Sequence, residues 1–205
     1  MKKERIILVL NGQLPKKNDL IKLLKGYDQI ICVDGGANKV INCKIKPTFI
    51  LGDLDSINKQ HINRYKEKIV ELNDQRYNDL SKTLEWLKNK NILELDIIGI
   101  DGKRADHSLN NFYIIFDYIK YFNIKIITEY GNFYTVNKKK KFKNCKNKTI
   151  SIFNIFKENR ITTYGLKYEL KNKKLKNISE GCLNIALNNE IEIIVDEKVL
   201  IFIEK

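Results

Sequence analysis

The chain has 205 residues, 43% of them hydrophobic, which allows one large domain or two small ones with a proper core, and no apolar run is long enough to span a bilayer. A net charge of +13 would suit a nucleic-acid binder, but the excess is lysine rather than arginine and gathers in Lys138–Lys148 and Lys167–Lys176, the pattern of a solvated lysine surface. The four cysteines, Cys32, Cys43, Cys145 and Cys182, lie far apart without a C-x-x-C, and the histidines are only His61 and His107, so neither a disulfide framework nor a structural zinc site is expected.

The basic opening Met1-Lys2-Lys3 precedes the apolar run Ile6–Leu10, which is too short for a secretory signal and closes on Asn11-Gly12 as a strand would. A soluble, cytoplasmic protein with no membrane or nucleic-acid partner is expected. Strands are expected at Arg5–Leu10, Gln29–Val33, Thr48–Leu51, Ile69–Leu72, Glu94–Ile98 and Ile124–Thr128. Helical stripes lie between them: Leu20, Leu23 and Leu24; a helix capped by Ser56 and running to about Lys68; Leu80, Leu84 and Leu87; and Leu109, Phe112, Tyr113 and Phe116, beginning near Asp106. This alternation predicts an α/β fold with a mostly parallel sheet.

Beyond about residue 130 the pattern turns all-β. Strands are expected at Thr149–Phe156, Gly165–Leu170, Leu183–Leu187, Ile191–Val195 and Val199–Glu204, with turns at Asn188-Asn189 and Asp196-Glu197. Lys138–Lys148 reads as a long hairpin or a linker. The expected domains are residues 1–130, α/β, and residues 131–205, a small β-sandwich or open barrel.

The chemistry concentrates where predicted strands end. Asn11-Gly12, Asp34-Gly35-Gly36, Gly52-Asp53-Leu54-Asp55-Ser56 and the loop from Gly99 through Gly102, Arg104 and Asp106 to His107 each follow a strand directly. In a parallel sheet these carboxyl ends share one edge, where ligands bind. Asp53 and Asp55 read either as part of an ordinary turn, since Asp, Gly and Ser are common turn formers, or as a metal site, because two carboxylates at a buried strand end repel each other and a hard divalent cation such as Mg²⁺ relieves that repulsion. Gly99–Gly102, leading into a helix N-terminus, suits an anion, with Arg104 adding a forked donor for phosphate. His107 reads more simply as a helix cap or a packed ring. Asp79 and Lys82 share a helix face; they suit either a metal ligand beside a phosphate contact or an ordinary N-cap with a surface lysine. The loops do not fit a P-loop.

Taken in order, Val33-Asp34-Gly35-Gly36-Ala37, Leu51-Gly52-Asp53-Leu54-Asp55-Ser56, Asp74-Gln75 with Asp79 and Lys82, Gly102-Lys103-Arg104-Ala105-Asp106-His107 with Asn111, Gly165-Leu166-Lys167-Tyr168, and Ser179-Glu180-Gly181-Cys182-Leu183-Asn184 resemble the thiamine pyrophosphokinase family. The resemblance covers nearly the whole chain. It implies transfer of diphosphate from ATP to the thiamine hydroxyl, a Rossmann-like ATP- and Mg²⁺-binding α/β domain, a thiamine-binding β-sandwich domain, and a homodimer with thiamine between subunits. It implies catalytic or metal roles for Asp53, Asp55, Asp79, Arg104 and Asp106. Nucleotide contacts would fall to Asn11, Asp34, Gly35, Gly52, Gln75, Lys82, Gly102, Arg104 and His107, and thiamine contacts to Ser179 and Asn184. The sequence departs from the family pattern at Lys103, where a glycine is frequent, at Arg76 and Asn78, and at Leu183 in the common Ser-Asn pair. Trp86, the sole tryptophan, lies in a predicted helix rather than near the C-terminus. The rival readings are a pyrophosphokinase for another hydroxymethyl heterocycle such as a pterin, a non-catalytic thiamine-diphosphate sensor, and a nucleic-acid-binding module.

Overall fold

The computed structural model describes residues 4–205; the basic opening at Met1-Lys2-Lys3 lies outside them. The chain divides into two compact units, and the division runs through one strand. The first unit extends to Phe122 and takes in Ile126–Thr128; the second holds Asn123–Lys125 and Glu129–Lys205.

The first unit alternates strand and helix: β1 (Ile6–Val9), α1 (Lys17–Leu24), β2 (Gln29–Val33), α2 (Gly36–Asn42), β3 (Phe49–Gly52), α3 (Lys59–Arg64), β4 (Ile69–Glu71), α4 (Asp79–Asn89), β5 (Glu94–Ile98) and α5 (Ala105–Tyr118), followed by β6 (Asn123–Ile127) at the division. Five strands pair in parallel in the order β5-β1-β2-β3-β4. The chain therefore steps outward from β1 to β4 and returns to the other side of β1 for β5. Ile6 to Leu10 are all buried, as expected of a strand covered on both faces. Ile7, Val9, Cys32 and Ile50 pack with Leu20 and Leu24 of α1 and Val40 of α2. Leu8, Ile31 and Leu51, which alternate to the opposite face, are equally buried.

Several expectations change. Helix α2 had no predicted counterpart, because Gly35-Gly36 reads as a turn and its apolar stripe is only Ala37, Val40 and Ile41. The helix expected from Ser56 to Lys68 is the short α3, capped by the Asn58 side chain on the Gln60 N–H, followed by a separate 3-10 turn at Lys66–Lys68. Asn58, not Ser56, caps it because its amide oxygen reaches the helix's own free N–H. Likewise Asn78 rather than Asp79 caps α4, accepting from the Leu80 N–H at 2.7 Å. In α5 the buried residues are Ile114 and Ile115, whereas Leu109 and Tyr113 are exposed.

The second unit contains β7 (Gly131–Val136), β8 (Lys139–Lys143), β9 (Thr149–Phe153), β10 (Arg160–Tyr164), β11 (Lys173–Lys174), β12 (Asn184–Ile185), β13 (Glu190–Val195) and β14 (Val199–Glu204). Every pairing among them is antiparallel, in the orders β12-β9-β14-β7 and β11-β10-β13-β8. The strands β7 to β14 thus pair antiparallel, and β1 to β5 in parallel. Val136, Ile150, Ile152, Ile161, Ile191, Ile193 and Ile201 come from both strand sets and share one core. The lysine-rich stretch forms β8, where Lys139 and Lys141 pair with Glu192 and Glu190 of β13 at 2.9 and 2.8 Å. The strand expected over Gly165–Leu170 is instead a loop, whose Leu166 forms an isolated antiparallel bridge with Ala186. Its register is broken by Gly165, whose φ of +90° no extended strand permits.

Candidate active site

The cleft of the first unit opens where β1 and β5 lie side by side while their connections leave in opposite directions, the switch point at which open α/β sheets bind ligands. It measures about 360 Å³. The loops after these two strands are bound to each other: the Gly12 N–H donates to the Gly99 carbonyl at 2.8 Å and the Gln13 N–H to the Asp101 carbonyl at 2.6 Å. Gly12 is required by this approach, since a Cβ there would stand 2.2 Å from both carbonyl oxygens.

The turn after β2 holds Asp34 in the left-handed region, with φ +44°, a conformation Asp tolerates better than most residues. The turn after β3 begins at Gly52, φ +145°, whose missing Cβ leaves room for Asp34. Asp34 Oδ1 accepts the Ser56 N–H at 3.3 Å, while Ser56 Oγ donates to Asp55 at 2.8 Å. Burial pushes the Asp34 pKa up, against hydrogen bonds from the Gly35 and Ser56 backbone that pull it down. Asp34, Asp53 and Asp55 each offer an oxygen within 4.8 Å of the others. Oxygens around a cation with ~2.1 Å bonds lie at most about 4.2 Å apart, so small rotations bring this set into range. Three hard oxygen donors, one of them buried, fit Mg²⁺.

Asp79 lines the cleft but is not part of that carboxylate group. It stands 2.6 Å from Lys82 Nζ, too bent an approach to count as a hydrogen bond, and Lys82 also donates to the Leu72 carbonyl at 2.8 Å. Lys82, 7% exposed, therefore faces Asp79 and the β4–α4 connection and does not line the cleft. Gln75 is exposed on that same connection. Arg104 lines the cleft just ahead of α5, its guanidinium forked onto Asp106 at 3.1 and 2.5 Å. That pairing lowers the Asp106 pKa to about 2. Asn11 and His107 line the cleft; Gly35 stands directly before α2 and Gly102, φ +85°, in the β5–α5 loop.

In the second unit, Ser179 is exposed on a 3-10 turn and donates to Asn177 Oδ1 at 2.6 Å. Asn184 accepts the Tyr168 N–H at 3.1 Å and donates to the Tyr168 carbonyl at 2.7 Å, so its amide shapes the Gly165–Tyr168 loop. Glu169 completes that loop, accepting from the Gly165 and Leu166 N–H groups at 2.6 and 3.0 Å and from Thr163 Oγ1 at 2.6 Å. The solitary tryptophan, Trp86, packs edge-on against Phe49 at 5.5 Å. Sequence reasoning missed Lys39, which carries no motif, and Asp101 and Asn78, which line the cleft. Asn78 just ahead of the apolar stripe Leu80, Leu84 and Leu87 was the available sign of a cap.

Grouped carboxylates, backbone turns, lysines and a guanidinium at a sheet's switch point define the class: an α/β protein whose cleft has the chemistry to suit a phosphorylated ligand. The chain belongs to the thiamin pyrophosphokinase family. The family's catalytic-domain model matches residues 20–128 and its substrate-binding-domain model residues 131–202. The chain is 30% identical over 165 residues to thiamin pyrophosphokinase 1 of Caenorhabditis elegans, covering 71% of this chain and 66% of that protein. It is 34% identical over 116 residues to thiamine pyrophosphokinase of Bacillus subtilis, covering 53% and 54%. The aligned segments thus span between about half and two thirds of these relatives' lengths. The crystal structure of the thiamine pyrophosphokinase from Bacillus subtilis superimposes with a TM-score of 0.76 at 26% identity, covering 98% of this chain and 99% of that one. Among the described residues, no helix is long and apolar enough to cross a membrane.

Proposed function

We propose that this chain transfers diphosphate from ATP to the hydroxyl of thiamine, giving thiamine diphosphate and AMP. The observation that carries this reading is the Asp34, Asp53 and Asp55 group at the edge of a cleft whose other loops present Arg104, Lys103 and the N-terminus of α5. The thiamine oxygen attacks the β-phosphorus, the bond from that phosphorus to the bridging oxygen of AMP breaks, and the hydroxyl proton is lost to solvent or to a carboxylate. Asp53 and Asp55, joined by Asp34 or Asp79, would hold Mg²⁺, which when bound would supply polarisation of the phosphate oxygens. Arg104 is poised at the cleft to meet charge on the diphosphate, held at the correct angle by Asp106. Asn11, Gly35, Gly52, Gly102 and His107 shape the walls around the nucleotide, with Gln75 on the neighbouring connection. Lys82 serves this site by neutralising Asp79. The remainder is positioning, which supplies most of the catalysis in phosphoryl transfer.

In this reading the Rossmann-like domain, residues 1–130, takes ATP, and the β-sandwich domain, residues 131–205, takes thiamine, with Ser179 and the loop built by Asn184 nearest to it. The second unit leaves Tyr168, Leu183 and Leu187 exposed at 64%, 77% and 53%. Apolar exposure of this extent fits the surface of a homodimer. The setting is cytoplasmic.

The test is incubation of the protein with ATP, Mg²⁺ and thiamine, with nucleotides and thiamine esters resolved by chromatography. AMP formed one-for-one with thiamine diphosphate is the expected result. ADP with thiamine monophosphate would move the attack to the wrong phosphorus. ATP binding without thiamine turnover would point to another acceptor.

A further inference from the structure

Lys39 rises from α2 toward the turn that follows β1. Its ammonium donates to the Gly12 carbonyl and stands 3.4 Å from the Asn11 carbonyl. Lys103, on the β5–α5 loop, donates to Asn11 Oδ1 at 3.0 Å. One two-residue turn is therefore held by two lysines from separate elements. Lys39 is partly buried, and burial together with the charge of Lys103 pushes its pKa down. Among the described residues neither lysine forms an ion pair with a carboxylate, while Asp79 is paired with Lys82 and Asp106 with Arg104.

Such a pair leaves positive potential that an anion would relieve. Asn11, Gly12 and Lys103 line the cleft on one side, while Asp34, Asp55 and Asp79 line it as well. A polyphosphate suits this division of charge: cation-binding carboxylates for some of its oxygens, ammonium groups for others.

We propose that Lys39 and Lys103 form a two-lysine clamp on the Asn11–Gly12 turn that receives the β- and γ-phosphates of the nucleotide, Lys103 as a direct ligand and Lys39 as a positioning residue. Lys39 fixes the turn by holding its carbonyls, so that the turn's remaining donors and the Lys103 ammonium face the cleft. The inference rests on the cleft being the nucleotide site and adds two residues to it: Lys39, and Lys103, where the sequence departs from the family pattern.

Equilibrium binding of Mg²⁺·ATP and of AMP to the full chain tests it, using wild type, Lys103→Gln, Lys39→Met and Lys39→Arg. Loss of one charge-assisted contact predicts about a tenfold weaker ATP affinity in Lys103→Gln, with AMP affinity held within about twofold. Lys39→Met should weaken ATP similarly, and Lys39→Arg, which keeps a cationic donor for the same carbonyls, should recover most of that loss. Unchanged ATP affinity in Lys103→Gln would overturn the proposal, as would an equal loss for AMP, which lacks the outer phosphates. Should Lys39→Met fail to fold, Lys103→Gln still decides the ligand role. A wild-type chain that binds neither nucleotide would overturn the nucleotide reading itself, an outcome distinct from failure of the clamp.

Discussion

Asp34 Oδ1 accepts the backbone N–H of Ser56, linking two turns 22 residues apart at 3.3 Å. This bond sets the turn after β2 against the turn after β3 and brings three carboxylates together. Asp53 contributes charge to this group, and it carries little of the packing around it. Asp53→Asn should therefore lower turnover by about 100-fold or more, because one metal-binding charge is lost where phosphate charge must be neutralised. Its melting temperature should stay at or slightly above that of the wild type, since like-charge repulsion is relieved. An Asp53→Asn enzyme of normal activity would remove this residue from the metal site.

The parallel strands and the edge on which the chemistry sits were legible because burial on both faces leaves continuous apolar runs such as Ile6–Leu10 and because Asp and Gly follow those runs directly. What was not legible is informative in physical terms. Helix α2 hides behind Gly35-Gly36, where glycine reads as a turn although here it begins a helix. The Gly165–Leu170 run has apolar content but is organised by Glu169, whose carboxylate substitutes for strand pairing at the Gly165 and Leu166 N–H groups. Lys82 reads as a surface lysine or phosphate ligand because sequence cannot display the Leu72 carbonyl that draws it inward. Lys39 is invisible for the same reason: its partners are backbone carbonyls on another turn.

The Arg104–Asp106 fork gives a clean titration. Its hydrogen bonds favour the charged carboxylate and hold the Asp106 pKa at about 2, below the ordinary 3.8. A depressed carboxylate stabilises the fold above its unfolded pKa and loses that contribution as pH falls through the folded value. Both side chains are well exposed, so the effect on stability is small. The carboxyl resonance itself is the better readout. In Arg104→Gln the Asp106 midpoint, followed by NMR, should return toward 3.8; a midpoint that stays near 2 would show that the helix N-terminus, not Arg104, sets it.

Glu169 anchors the Gly165–Tyr168 loop with three accepted hydrogen bonds. Glu169→Ala should destabilise the chain by about 1–2 kcal/mol, since the N–H groups it serves are only partly able to turn to water. For a chain of this size that is a melting shift of about 2–8 °C. If the β-rich domain takes thiamine, the variant should also raise the KM for thiamine while that for ATP changes little. Equal effects on both would place the loop outside substrate binding.

Lys82 offers the sharpest separation between a structural and a ligand role. Its side chain is 7% exposed, against 24% for Asp79, and its ammonium lies between that carboxylate and the Leu72 carbonyl. Removing one partner of such a pair leaves the other charge poorly solvated, a larger loss than breaking an exposed pair. Allowing for the partial exposure of Asp79, Lys82→Met should cost about 2–3 kcal/mol in denaturant unfolding. Replacing both residues, as Lys82→Met with Asp79→Leu, should recover part of that stability, because no unpaired charge remains. Activity divides the two roles. A positioning Lys82 loses stability first and keeps its KM for ATP within a few-fold when assayed well below its melting temperature. A phosphate-binding Lys82 would show the reverse, an unchanged melt with ATP affinity reduced about tenfold, and that result would mean its ammonium leaves Asp79 when nucleotide binds.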